Sequence, residues 1–446
     1  MFRLKIISIL FVGIMIMLSC GEDGGTQPQL SAPLALNAED ISQNSFTAQW
    51  IGVADAQGYI LDVSTNVDFS TFIAGYEAKQ LSKLSEVVSG LDGATQYYYR
   101  VRAYNNNVES PNSNVIKLTT AVPSDLVLKD AASDFFIGTI VQANRLTGQY
   151  DVVMQREFSS ITAEYQMKMD IMYPNQGVYD WTASDAIVNY AVDNGFNLHG
   201  HALIWHNATP EWVRNFSGSD TEFEAMVKDY IKTVVGRYKG KVTSWDVVNE
   251  AFNDGSGSYR NSVFYQRLGE DYISKCFQWA READQDVLLF YNDYNMCNDQ
   301  TKQNAVFSMI DELISDGVSV NGVGFQMHIS YNGPAKENIM AASNRIVERG
   351  LKVHFAELDI RANPDNNMSE LTSVRALAQK EKYKEVAAIY NSLPASNKYA
   401  LTIWGLKDDE SWLLDFYGHQ DWPLLFDMHF NKKDAYYGVL EGLLQK

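Results

Sequence analysis

The sequence predicts an α/β chain: a (β/α)8 barrel over residues 123–446, preceded by an all-β, immunoglobulin-like sandwich over residues 32–121. Three observations predict it. From about Pro123 onward, eight short apolar runs alternate with longer stretches of helical period, the pattern of parallel strands joined by crossover helices. Before residue 121 the period is two, the runs are short, and turn residues separate them. Two of the later apolar runs also end in a glutamate, and barrels carry their chemistry at the carboxyl ends of their strands.

In chain order, Arg3 and Lys5 precede an apolar run from Ile6 to Leu18, interrupted only by Ser8 and Gly13. Residues 1–19 therefore read as a secretory signal, too short for a comfortable membrane span. Its end, Met17-Leu18-Ser19-Cys20-Gly21, resembles a bacterial lipobox with Met17 where Leu is usual. Cys20 is thus expected as a lipidated N-terminus, with ordinary cleavage nearby as the alternative. The GEDGG that follows resembles an acidic surface-export tag. The expectation is a surface-exposed outer-membrane lipoprotein of a Gram-negative bacterium, otherwise a secreted protein, touching the membrane only through its lipid. Residues 20–31, rich in Gly, Gln and Pro, read as a flexible tether.

Runs at 45–50, 59–63, 97–103 and 115–119 supply the sandwich strands. Along 97–103 the alternation puts Tyr97, Tyr99, Val101 and Ala103 inside and Tyr98, Arg100 and Arg102 in solvent. Trp50 and the LDGATQY corner ending at Tyr97 resemble a fibronectin type III module. Its aromatics fit core positions, which favours a spacer over a sugar-binding module. The barrel strands are expected at 135–141, 160–163, 197–203, 242–248, 287–291, 322–326, 353–357 and 401–404, with helices such as 222–238 and 265–283 between them.

Composition narrows the function. A formal net charge of −19 repels phosphate backbones, so nucleic acid is not expected as a partner, while a neutral polymer is indifferent to it. A 12% aromatic content suits a sugar-stacking surface and a well-packed large enzyme equally. The three cysteines cannot form a disulfide framework, and Cys276 and Cys297 are either two reduced thiols or one bridge.

The strand 242–248 runs into Asn249-Glu250, and 353–357 ends on Glu357. A glutamate there is either leaving the core or employed at it; two of them on one barrel can face each other across one opening, as glycosidic-bond hydrolysis requires. His199, His201, His206, His328 and His354 near strand ends raise a metal site as a rival. No HExxH or Cys-His pattern supports one, and no Gly-rich phosphate loop follows a strand.

The motifs GHALIWH (200–206), WDVVNEAF (245–252), NDYN (292–295), QMH (326–328), ELD (357–359), Trp404 and Ser411-Trp412, in this order, resemble glycoside hydrolase family 10, whose typical activity is endo-β-1,4-xylanase. The resemblance implies a retaining mechanism with Glu250 as acid/base and Glu357 as nucleophile. It implies that His328 and Asp359 orient the nucleophile and that Asn249 meets the sugar 2-hydroxyl. It further implies that Glu164, Lys168, His201 and Gln326 contact substrate, and that Trp205, Trp404 and Trp412 wall the glycone side. Lys168 alone would read as a snorkelling surface lysine and His328 alone as a core histidine. Xylan or xylo-oligosaccharide is the implied partner, with no cofactor and no metal, and the chain is expected to be a monomer. Three positions depart from the pattern: Tyr165 for Asn, Ala208 for Gln and Leu413 for Arg. Tyr165 and Ala208 are therefore expected to alter the second glycone subsite. Two rivals stay open: a non-catalytic xylan-binding surface lipoprotein, and a related barrel enzyme acting on another β-glycan.

Overall fold

The computed structural model describes residues 30–106 and 108–445. The signal, Cys20 and all but the end of the tether lie outside the described residues. The chain divides into two compact units: one closes at Thr120, and the other takes Ala121 onward together with Asp92–Thr95.

The first unit holds two antiparallel sheets. Leu34–Ala35, Ser45–Ile51 and Ser85–Ser89 form one; Lys79–Leu81, Gly58–Ser64, Gln96–Asn105, Val108–Glu109 and Ile116–Thr119 form the other. Phe46, Trp50, Leu61, Val63, Tyr97, Tyr99 and Val101 fill the space between inward faces. The expected alternation appears along Gln96–Asn105, where Tyr97, Tyr99, Val101 and Ala103 are buried. The opposite face is half-buried rather than free in solvent, because Arg100 and Arg102 close on Asp62 at 3.0 and 3.6 Å.

The second unit is a closed parallel barrel. Its strands are β1 (Phe136–Val141), β2 (Ser160–Ala163), β3 (Asn197–Gly200), β4 (Ser244–Asn249), β5 (Leu288–Asp293), β6 (Gly322–Phe325), β7 (Lys352–Arg361) and β8 (Lys398–Ile403). Each pairs in parallel with the next, and β8 pairs with β1 to close the ring. The principal outer helices are α1 (Gln149–Glu157), α2 (Thr182–Asn194), α3 (Asp220–Arg237), α4 (Tyr272–Ala283), α5 (Gln300–Ser315), α6 (Lys336–Val347), α7 (Ser373–Asn391) and α8 (Asp434–Leu443). Local sequence explains several ends. Ser219 and Glu222 form a reciprocal capping box at the start of α3, and Asp299 caps α5.

Expected and observed ends differ by a few residues elsewhere, and three expected elements are broken or extended. The run 197–203 ends as a strand at Gly200, and Ile204–Trp205 is a separate piece paired with β4. The helical stretch 265–283 is broken at Gly269, whose φ of +72° stops the helix Val263–Leu268 before α4. β7 continues past Glu357 to Arg361, because the short strand His328–Ser330 pairs with its second half. Inside the barrel, Gly200 makes room for the Trp245 ring; a Cβ there would stand 2.2 Å from it.

Candidate active site

β4 is buried at every position and carries a register shift between Asp246 and Val248 against β5. A bulge re-aims the residues beyond it. Asn249 ends the strand, and Glu250 leaves it with φ +56°, a left-handed conformation costing a non-glycine residue roughly 1–2 kcal/mol. Neighbours hold it there. The Glu250 N–H donates to the Asn292 carbonyl at 3.0 Å. Arg260 donates to the Glu250 and Phe252 carbonyls at 3.1 and 3.2 Å, and to the Tyr294 hydroxyl at 3.0 Å.

β7 presents Glu357 within a second register shift, between Phe355 and Leu358. Two residues on, Asp359 stands opposite His328 in the pairing of β7 with His328–Ser330, so strand register itself assembles that pair.

The two glutamates are the ends of one chain of amides. Gln326 Nε2 donates to Glu250 Oε1 at 2.9 Å and to Asn249 Oδ1 at 3.2 Å. Asn292 Nδ2 donates to the same Asn249 oxygen at 3.2 Å and to Glu357 Oε1 at 2.7 Å. With its oxygen accepting twice, Asn249 has only its NH2 to offer the cleft.

Glu357 is buried, which alone would raise its pKa. His201, His328 and Lys168 outweigh that and hold the carboxyl below its ordinary value. His328 reaches Glu357 Oε2 at 3.2 Å with Nε2 and Asp359 Oδ2 at 2.8 Å with Nδ1. Burial alone would push its pKa down; Asp359, then Glu357, raise it to about 10, so it is an imidazolium at neutral pH. Trp412 Nε1 donates to the same Asp359 oxygen at 3.0 Å. His201 is oriented from below by Asp246 at 2.8 Å, which turns its Nε2 toward Glu357 at 4.0 Å. Burial would raise the Asp246 pKa, but the two imidazoles above it, His199 and His201, hold it well below the usual carboxylate range.

Both glutamates, with Asn249, Gln326, His201, His328 and Lys168, open on one cleft of about 650 Å³. Glu164, Tyr165, Lys168, His201, Trp205, Asn249, Glu250, Gln326, His328, Glu357, Trp404 and Trp412 line it, and Asp359 lies buried behind His328. Lys168 is no surface lysine: it is 5% exposed, its ammonium 4.4 Å from the Trp205 ring centre and 4.8 Å from that of Tyr165. Burial lowers its pKa, against the pull of Glu357, Glu164 and Glu250. Glu164 accepts a hydrogen bond from Gln142. Ala208 is buried outside the cleft lining, and its carbonyl accepts from Asp170 N–H. Tyr165 itself lines the cleft, and its hydroxyl donates to Asp170. Leu413 is likewise buried.

Several lining residues had no assigned role in the sequence: His206, Arg260, Tyr294, Phe416 and Tyr417. Burial holds the His206 pKa down at about 4 against the pull of Glu250, and Arg260 and Lys302 add to the lowering. His206 and Tyr294 lay in quoted motifs, whereas Arg260 and Phe416 carried no spacing signal. Of the five histidines near strand ends, the other two bond within the barrel, His199 to Ser244 at 2.6 Å and His354 to Thr402 at 2.9 Å. Among the described residues no group of three or more His, Cys, Asp or Glu is placed to hold a metal. Cys276 and Cys297 are free and buried.

The sequence profile of glycosyl hydrolase family 10 matches residues 127–442. The chain belongs to glycosyl hydrolase family 10. It is a glycosidase on a TIM-barrel fold. Among curated relatives, endo-β-1,4-xylanase Xyn10C of Cellvibrio japonicus is 36% identical over 360 residues; the match covers 75% of this chain and 59% of that protein's length. A β-1,4-xylanase of Dictyoglomus thermophilum is 37% identical over 322 residues, covering 70% of this chain and 90% of the relative. Among solved structures, a mutant of C. japonicus xylanase 10C in complex with xylopentaose aligns with a TM-score of 0.69 at 30% identity, over 91% of this chain and 90% of that one.

Proposed function

We propose that this chain is an endo-acting β-1,4-xylanase that retains anomeric configuration by double displacement. The observation that carries the reading is the amide chain joining Glu250 and Glu357 within a single cleft, with Asn249 between them. Glu357, kept ionised by its cationic neighbours, attacks the anomeric carbon. Glu250, in its protonated form, gives its proton to the departing glycosidic oxygen. Glu250, now a carboxylate, takes a proton from water as that water attacks the same carbon from the other face, and Glu357 is released. The Asn249 NH2 meets the 2-hydroxyl, a contact that strengthens in the transition state. The chemistry as written calls for no cofactor.

The named xylanase relatives, and a structural neighbour that holds xylopentaose, support xylan as substrate. Xylan, mixed-linkage glucan and an aryl β-xylobioside, compared side by side, separate the readings. Turnover of the two xylo-substrates, with the β-anomer formed first by proton NMR, is expected. Binding without turnover would favour the non-catalytic rival, and preference for the glucan would favour the other-glycan rival. Glu357→Ala is expected to lower kcat at least about 10³-fold with the fold kept.

The same reading takes the first unit as a fibronectin-like spacer and Cys20 as a lipid anchor holding the enzyme at the outer-membrane surface, as a monomer. Radiolabelled palmitate should enter the chain and be lost in Cys20→Ser; equal labelling of both would remove the anchor.

A further inference from the structure

We propose that Phe416 and Tyr417 form a further pyranose-binding subsite at the rim of the cleft, beyond the sugars held at the carboxylates. This deepens the reading above and rests on it. Both residues sit on the short helix Trp412–Tyr417 that follows β8. Leu413 anchors that helix by burial, while Trp412, Phe416 and Tyr417 line the cleft.

The aromatics run outward in contact. The Trp412 ring lies 4.8 Å from His328, Phe416 lies 5.0 Å from Trp412, and Tyr417 lies 4.9 Å from Phe416. Trp412 is half-buried, whereas Phe416 and Tyr417 beyond it are exposed, at 67% and 46%. Two adjacent large aromatics that forgo burial, continuous with a cleft, mark a surface kept for a ligand. Tyr417 is also ordered in advance. The Arg361 guanidinium lies 3.6 Å from its ring centre, and Asp421 holds Arg361 at 3.2 Å. A ring fixed in this way loses little freedom when a sugar stacks on it.

The chemistry selects the ligand. Aromatic faces accept the C–H face of a sugar ring. Arg361 is already paired with Asp421, so the site fits a neutral pyranose better than a uronate. A polymer whose reacting unit lies at Glu250 and Glu357 supplies such rings along its own length.

The test uses the full chain and Phe416→Ala, Tyr417→Ala and Phe416→Trp, with xylohexaose and an aryl β-xylobioside as substrates. Thermal unfolding first establishes that each variant folds. The ratio of kcat/KM on xylohexaose to kcat/KM on the xylobioside should fall about 3- to 10-fold in each alanine variant. The fall should lie mainly in KM, and Phe416→Trp should restore it. An unchanged ratio in folded alanine variants, with wild type active on both substrates, would overturn the subsite alone. Wild type inactive on both would instead overturn the xylanase reading beneath it.

Discussion

Asn292 spends both amide hydrogens inside the site, one on Asn249 and one on Glu357, and Gly324 on the neighbouring strand leaves the room for it. A Cβ at Gly324 would stand 2.3 Å from the Asn292 side-chain oxygen. Gly324→Ala should therefore displace that amide and lower kcat/KM on xylo-oligosaccharides about 10- to 100-fold, with a smaller effect on melting temperature. Steady-state kinetics beside a melting curve checks it. His328 makes a pH prediction. Its pKa is raised to about 10 in the folded chain against about 6.5 unfolded, so its stabilisation is complete below about pH 6.5 and is lost as pH rises through about 10. The melting temperature of wild type should fall relative to that of His328→Gln over this window; parallel curves would contradict the imidazolium assignment. Tyr165 sits on the cleft with its ring near Lys168, so Tyr165→Asn should shift the cleavage positions on short xylo-oligosaccharides, read by product chromatography. Residues inside quoted motifs were legible in the sequence as a set. The role of Asn292 was not, because it depends on a missing side chain one strand away.

At the level of elements, the register shifts nearest the glutamates, between Asp246 and Val248 in β4 and between Phe355 and Leu358 in β7, decide where the glutamates point, and hydrophobic periodicity carries no trace of them. Strand existence was readable from apolar runs; the extension of β7 to Arg361 was not, since it needs a partner strand distant in sequence. The loop after β4 shows the same limit. Arg260 lies ten residues beyond Glu250 with no motif around it, yet its guanidinium holds the carbonyls of Glu250 and Phe252. Arg260→Ala should loosen the left-handed turn that aims Glu250. If Glu250 is the proton donor, the loss should be greatest with poor leaving groups. Kinetics across a series of aryl β-xylobiosides should show a steeper dependence on leaving-group pKa than wild type. A uniform loss across the series would assign Arg260 a purely structural part.

Across the molecule, each unit has its own buried core, and the periodicity that changes near residue 121 tracks that division. The cleft-lining residues all lie in the second unit. A chain of residues 123–446 should thus keep kcat/KM on soluble xylo-oligosaccharides within about 2-fold of the full chain; a large loss would give the first unit a part in substrate handling. Ordered motifs made the barrel and its carboxylates visible from sequence, while the aromatic rim at Phe416 and Tyr417 emerged only from exposure in three dimensions. Double displacement requires that Glu357 bond covalently to the sugar. An aryl 2-deoxy-2-fluoro-β-xylobioside should trap that adduct, and peptide mass spectrometry should find one fluoroxylobiosyl group on Glu357. A label on another residue, or turnover with inversion and no adduct, would contradict it.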